Sequence, residues 1–398
     1  MKQLFKEDFF FSNRKKLYDQ ANSDLIIVTA NSRVLKSADL SYDFKQDSNF
    51  WYLTGISEPD FILVISKKEI FLIKPKLTLY QEIFESIPND KELSLKSGIT
   101  LILDNKEGLK KLKNEVAISS SVAIILEKKS YLYTTLIVAS NNKRLKNYIS
   151  RINPKIEIRD LIAHLSQLRM IKSKQEIKTI ARAVQITKNS LKELIDNELS
   201  KLNSTSQIDA WLEYSFRIGG ATSHAFNSII AQGKKACIIH YPFKDQALNN
   251  KDMLLLDCGA EYSNYASDIS RTISLSKMNS RQSEVYNAVK SVQSKAFDLI
   301  RPGVYLKNLE IEVANLIGKE LIKLNLINSL QQSEIRKYYP HAFSHSLGLD
   351  THDLADYSLP LQENMVITVE PGIYIPSQGI AVRIEDDVLI KKDGIKVL

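Results

Sequence analysis

Two stretches of this chain place acidic residues where a β-hairpin brings them face to face. In LLLDCGAEYSNYASDISRTI, Leu254 to Ile273, Asp257 follows an apolar entry and Asp268 lies in an alternating run. A hairpin centred between Tyr262 and Ser263 sets the two acids directly opposite each other, and a one-residue slip would separate them. Facing carboxylates about 4 to 5 Å apart repel by about 4 kcal/mol at an effective dielectric of about 20. A cation must then sit between them, or one must stay protonated. One such hairpin alone is more often a solvated turn with two surface acids. A second of the same design, MVITVEPGIYIPSQGIAVRIEDDVLI, carries Glu370 and Glu385 and centres between Ser377 and Gln378. Between the hairpins, HAFSHSLGLDTHD holds His341, His345 and His352 in a chain with only 6 histidines. Four carboxylates and an imidazole form a hard, oxygen-rich set that suits two divalent ions of the manganese, cobalt, iron or zinc group. The four negative charges match two dications, so such a centre can be buried.

The elements that must position these residues lie in a chain of 398 residues, long enough for two domains with real cores. Its 44% hydrophobic and 25% charged residues are ordinary globular material. The net charge of +8 is scattered, with no basic run longer than Arg14-Lys15-Lys16. That pattern reads as a solvated surface and argues against nucleic-acid binding. Two cysteines, Cys237 and Cys258, are too few for a disulfide scaffold and fit a reducing cytoplasm. Cys258 next to Asp257 on a strand points to the other face, as a small core residue. The opening MKQLFKEDFFFSNRKKL lacks the pattern of a signal peptide, and no apolar run approaches the ~20 residues of a membrane span.

From Asp24 to about Leu161, DLIIVTA, NFWYLTG, DFILVIS, EIFLIKP, ITLILD and VAIIL are predicted strands, and SNRKKLYDQ, LYQEIFESI and EGLKKLKNE predicted helices. The alternation predicts an α/β domain over 1–165 without a cluster of potential ligands. The boundary falls near Ile162 to Lys174, and 166–398 form a second, α+β domain. There Ser173 and Glu176 make a capping-box signature opening a long helix. A second helix, QIDAWLEYSFRI, stops at Gly219-Gly220, followed by strand-like FNSIIAQG and CIIHYP. Helices from about Arg281 to Ile300, stopped by Pro302-Gly303, and from Lys307 to Leu324 precede the histidine stretch. The acids recur at nearly equal separations, which suggests an internal duplication with a pseudo-two-fold axis.

The ordered set Asp257, Asp268, His345, Glu370 and Glu385, in the contexts LLLDCGAEY, SDISRT, HAFSHSLGLDTHD, VEPGIY and RIEDD, resembles the dinuclear metallopeptidases of the pita-bread fold. NFWYLTGISEPD, LRMIKSKQEI and FNSIIAQGKKACIIHY are more narrowly similar to the aminopeptidase P, or X-Pro aminopeptidase, family of compact bacterial type. The resemblance spans nearly the whole chain. It implies that Asp257 and Asp268 bind one ion, that Asp268 and Glu385 bridge the pair, and that His345 and Glu370 complete the other, with manganese the first choice. It further implies Glu370 as proton acceptor, His240 and His352 at the scissile carbonyl, and His341 beside the S1′ pocket. Arg383 would orient a carboxylate or the substrate, and Tyr374 would sit in the core or hydrogen-bond beside the site.

The reaction implied is release of the N-terminal residue from peptides with proline at position 2, by a homo-oligomer whose N-terminal domains cover neighbouring clefts. Prolidase, restricted to dipeptides, is the nearest alternative, and a non-catalytic pita-bread module that holds a protein partner is a second. Methionine aminopeptidases usually lack such an N-terminal domain, and creatinases abandon the ligands. Ala342-Phe343 and Ser346 stand where the family often has smaller residues, which implies crowded walls near His345. The short IYIPSQGI implies a trimmed loop.

Overall fold

A computed structural model of the chain describes residues 4–79, 83, 88–126 and 141–398. It divides into two units, Met1–Leu168 and Arg169–Leu398. In the first, five of the expected strands form as Leu25–Thr29, Ile62–Ser66, Ile70–Ile73, Leu101–Leu103 and Ser121–Ile124. With Glu157–Asp160 they make a six-stranded mixed sheet with Leu25–Thr29 between Ile62–Ser66 and Ser121–Ile124. Helices Glu7–Ala21 and Asn105–Ile118 cover SNRKKLYDQ and EGLKKLKNE. The helix expected in LYQEIFESI lies outside the described residues apart from positions 79 and 83.

NFWYLTG is not a strand. Ser48–Thr54 is a helix, capped by the Asp47 side chain, which accepts from the backbone N–H groups of Asn49 and Phe50. Gly55 closes it at φ 70, donating to the Trp51 carbonyl. Every residue from Asn49 to Thr54 is buried, so no polar face marked the helical period. The caps on either side outweigh the strand preference of an aromatic run.

In the second unit Ser173 and Glu176 form the expected capping box at the start of Lys174–Glu193. Asn279 and Gln282 form another ahead of Ser280–Leu299. That helix and Leu306–Lys323 pack their apolar faces onto the C-terminal sheet, burying Val285, Val289, Val313 and Ile317 with Val369, Ile373 and Val382. Cys258 is fully buried. Among the described residues no helix is long and apolar enough to cross a membrane.

The first acidic hairpin differs from its expected register. Met253–Cys258 pairs with Ile269–Ser274 so that Asp257 faces Ser270 and Cys258 faces Ile269. The turn is Ser263-Asn264, at φ 49 and φ 70, one residue later than expected. Two consecutive positive-φ residues match the twist of a tight hairpin, and Asn264 tolerates that conformation well. The shift preserves parity, so Asp257 and Asp268 still share a face, as diagonal rather than direct neighbours. On this register Asp268 falls opposite Gly259, where a Cβ would lie 1.7 Å from the Ser267 carbonyl oxygen. Only a residue without a side chain lets the strands approach there.

The second hairpin keeps the expected register in two ladders. Val366–Val369 pairs with Asp386–Lys391, and Gly372–Ile375 pairs with Ile380–Arg383. Glu370 and Glu385 sit in the gap between these ladders. Their backbone N–H groups turn elsewhere, Glu370 to the Phe343 carbonyl at 2.8 Å and Glu385 to the Ser270 carbonyl at 3.1 Å. The gap therefore stitches this hairpin to the histidine stretch on one side and to the first hairpin on the other.

CIIHYP, expected as a strand, is not one. After strand Ile229–Gln232 the chain turns at Gly233, φ 58, into the short helix Gly233–Ala236. A turn joining the Tyr241 N–H to the Ile238 carbonyl carries His240. Pro242 cannot donate to a ladder, and Ile238 is left exposed.

Candidate functional site

Strand parity and the ladder gap converge the predicted residues. All five expected ligands, together with His240, His341, His352 and Arg383, line one cavity of about 760 Å³. Asp257, Asp268, Glu385 and Arg383 are buried. Ligand atoms of Asp268, His345 and Glu385 lie within 4.8 Å of one another. His345 Nε2 is 3.5 Å from Asp268 Oδ2 and 3.4 Å from Glu370 Oε1.

The tautomer of His345 follows from its other nitrogen. Nδ1 lies 3.1 Å from the Ser346 carbonyl, an acceptor only, so Nδ1 carries a proton, and in the neutral ring Nε2 presents a lone pair to the two carboxylates. Lone pairs facing lone pairs repel unless a cation takes them or a carboxyl keeps its proton. One oxygen each of Asp257, Asp268 and Glu385 is also buried without a hydrogen-bond partner, a costly state for a carboxylate in isolation. Together these features fit a divalent-metal donor set, with the histidine tautomer fixed from outside.

One guanidinium serves this acidic space. Arg383 pairs through Nη2 with Asp257 Oδ2, donates from Nε to Ser270 Oγ at 2.9 Å, and from Nη1 to the Tyr374 hydroxyl oxygen at 2.6 Å. Tyr374 is buried and bonds His341 Nε2 at 2.8 Å. Because His341 Nδ1 faces the Ala342 carbonyl at 2.7 Å, Nδ1 donates and Nε2 accepts from the tyrosine. An ordered relay runs Arg383, Tyr374, His341.

Burial and mutual repulsion shift the acids upward. Glu385 is pushed to about 7, first by burial and then by Asp257. Asp268 and Glu370 rise well above the usual carboxylate range, first by burial and then by Glu385. The histidines move the other way. Burial, then Arg383, lowers His341 to about 3, and burial, then His345, lowers His352 to about 4. Both rings are neutral at pH 7. The rings of His345 and His352 meet edge to face, with centroids 4.4 Å apart.

The crowding expected near His345 does not arise from Phe343 or Ser346. Phe343 packs into the hydrophobic core, and Ser346 bridges to Ile367. Neither lines the cavity, whereas Ala342 and Ser344 do. Three residues not singled out from the sequence hold the ligand candidates in place. Ser270 Oγ donates to Glu385 Oε2 at 2.7 Å. Thr368 Oγ1 accepts from the His345 N–H at 3.1 Å and lies 3.4 Å from Glu370 Oε1. Buried Asp387 accepts the Asp268 N–H at 3.0 Å. Each lies two positions from a predicted acid, so the alternation of strand faces carried the signal.

Residues 178–392 match the metallopeptidase family M24, and residues 10–124 match the aminopeptidase P N-terminal domain. An Xaa-Pro aminopeptidase of Haemophilus influenzae is 31% identical, the match spanning 100% of this chain and 95% of that one. Aminopeptidase P from E. coli in its low-pH form superposes with a TM-score of 0.87 at 26% identity, covering 99% of this chain and 94% of that one. The zinc-substituted E. coli enzyme in complex with product superposes with a TM-score of 0.86 at 26% identity over the same shares. With more than half of its length matched and the two-domain architecture in common, this chain belongs to metallopeptidase family M24.

Proposed function

We propose that the chain is an X-Pro aminopeptidase, releasing the N-terminal residue from peptides with proline at position 2. The observation that carries this reading is the convergence of four carboxylates and the His345 Nε2 lone pair on one cavity, with three buried carboxylate oxygens unpartnered. The name of the H. influenzae relative supports the substrate class. Asp257, Asp268, His345, Glu370 and Glu385 would hold two divalent ions, manganese first among manganese, cobalt, zinc and iron because the donors are hard oxygens. When bound there, such ions lower the pKa of a water toward neutrality and stabilise charge on the carbonyl oxygen.

The chain's own groups supply the rest. Glu370 accepts a proton from the attacking water and returns it toward the leaving proline nitrogen. Its Oε2 is 3.7 Å from His341 Nδ1. His352, neutral at pH 7, donates to the scissile carbonyl, and His240 shares that wall of the cavity. His341, fixed by Tyr374, flanks the pocket for the ring. Arg383 holds Asp257 in place rather than reaching for substrate, since its guanidinium nitrogens already bond Asp257, Ser270 and Tyr374. Proline has no backbone N–H and a fixed φ. A peptidase that grips a backbone donor at that position handles proline poorly, and a pocket lined by neutral imidazoles avoids the need.

The same reading extends to residues 1–165 as an oligomerising cover for a neighbour's cleft, with 166–398 catalytic. Exposed Val34, Leu35, Leu40 and Tyr42 on the small hairpin Leu35–Ser37 and Leu40–Ser41 support an interface between copies. Two free cysteines support a cytoplasmic setting.

Ala-Pro-Ala should be cleaved, and Gly-Pro should not be the sole substrate; turnover confined to dipeptides makes the protein a prolidase. Asp257→Ala or Glu385→Ala should abolish turnover and metal uptake while circular dichroism shows a folded chain, and activity surviving in chelated protein sinks the metal assignment. His352→Ala should keep its metal and lose about 100-fold or more in kcat, so unchanged kinetics remove its role.

For pH, Glu385 has a folded value of about 7 against an ordinary 4.5. An acid raised on folding leaves stability intact below the lower value and costs it fully above the higher one. The metal-free Tm should therefore fall between pH 4.5 and 7, and manganese should remove that slope; a flat metal-free profile contradicts the electrostatic reading. Sedimentation should show a dimer or tetramer, and a monomer at micromolar concentration ends the assembly reading.

A further inference from the structure

The joint LRMIKSKQEI and the aspartate after His352 have no part in the chemistry above, yet the structure brings them together. Asp353 is buried between two buried cations. Its Oδ1 pairs with Arg169 Nη2, and its Oδ2 pairs with Lys172 Nζ at 2.7 Å. Lys172 Nζ also donates to the Arg169 carbonyl at 2.7 Å, and Arg169 Nη2 reaches Asp350 at 2.8 Å. The cations overcome the effect of burial and hold the Asp353 carboxyl below its ordinary range. The cluster is tight enough that a Cβ on Gly348 would lie 2.2 Å from Asp353 Oδ2.

Buried ion pairs contribute little net stability, because desolvation offsets their attraction. This one fixes geometry. The Asp353 N–H bonds the Ser346 carbonyl at 2.9 Å, and the Gly348 carbonyl accepts from Ala266 at 2.8 Å. Residues 346–353 are thus clamped at both ends and in the middle. His345 and His352 stand at the two ends of this clamped loop, with their rings 4.4 Å apart.

Resting on the peptidase reading above, we propose that Asp353, anchored by Arg169 and Lys172, is a positioning residue that sets the His352 ring against His345 and the scissile carbonyl. It touches no substrate and acts only through His352. Asp353→Asn alone leaves Lys172 buried without its ion pair, so the test combines it with Lys172→Met, which removes that charge. In the manganese-loaded enzyme the pair of substitutions should leave metal content unchanged. It should lower kcat by about 10- to 100-fold, with KM moving less than kcat. Added to His352→Ala, it should cost no more than roughly a further twofold.

Unchanged kcat, or an equal loss in the His352→Ala background, overturns the proposal. Should the pair fail to fold, Asp353→Glu keeps the charge while lengthening the arm, and enters the same cycle with the same expected outcome. A crystal structure of the variant decides independently of turnover. The ring separation should depart from 4.4 Å, and an unmoved pair overturns the proposal. A parent protein that leaves Ala-Pro-Ala intact defeats the peptidase reading, while the ring separation still decides this one.

Discussion

Asp257, Asp268 and Glu385 are each less than a tenth exposed, and Glu370 sits in the same cavity with one arginine for counter-charge. Two unit charges 4 Å apart at an effective dielectric of about 20 repel by about 4 kcal/mol, whereas an exposed ion pair contributes about 0 to 1 kcal/mol. Repulsion inside this one space therefore outweighs any surface pairing the unit can offer. The backbone resists it through bonds that cross between hairpins. Glu385 hangs on the Ser270 carbonyl, Asp268 on the Asp387 carboxylate, and His345 on Thr368. Were Glu370 and Glu385 inside regular ladders, their hairpin would satisfy itself and the bond from Glu385 to Ser270 would be lost. The gap around Glu370 and Glu385 frees their N–H groups for that purpose.

How much of this was legible in the sequence depended on which physical quantity the residues encode. Strand parity survives error: the expected centre, between Tyr262 and Ser263, lies one residue before the observed Ser263-Asn264 turn, yet Asp257 and Asp268 share one face because the pairing moves by an even step. The second register could be read correctly, since its ladders run on both sides of the acids. The cap at Ser173 was legible too. What failed were short apolar runs without a polar face. Phe50 to Thr54 is buried all round, so periodicity could not separate helix from strand, and only Asp47 and Gly55 carried the answer. CIIHYP failed for the complementary reason: Gly233 redirects the chain before any ladder can form, a tertiary choice that residue preference does not register.

The supporting groups were hidden by a different limit. Ser270, Thr368 and Asp387 are ordinary strand residues until the two hairpins meet, and which neighbour each will bond depends on a long-range approach that local pattern does not contain. The tautomers are of the same kind. His345 and His341 each spend Nδ1 on a carbonyl of the next residue. That leaves Nε2 of His345 facing Asp268 and Glu370 and Nε2 of His341 accepting from Tyr374. A residue type gives the menu of donors and acceptors, while the backbone beside it selects the entry.

Charge neutrality connects these groups under the proposed occupancy. Four acids match two dications, which leaves the Arg383 cation in excess if the ligands are considered alone. Asp387, buried two positions beyond Glu385 on the same strand face, has its carboxyl pushed upward by burial, and supplies the remaining negative charge only when the bound dications hold it ionised. Arg383 and Asp387 address different members of the set, the first through the Asp257 carboxylate and the second through the Asp268 backbone. The interior can therefore hold eight charged groups with no net charge, counting four acids, two ions, Arg383 and Asp387 as paired opposites rather than as a cluster of one sign. Removing the ions breaks that match, and the protons that the raised carboxyl groups then retain are the cheapest replacement.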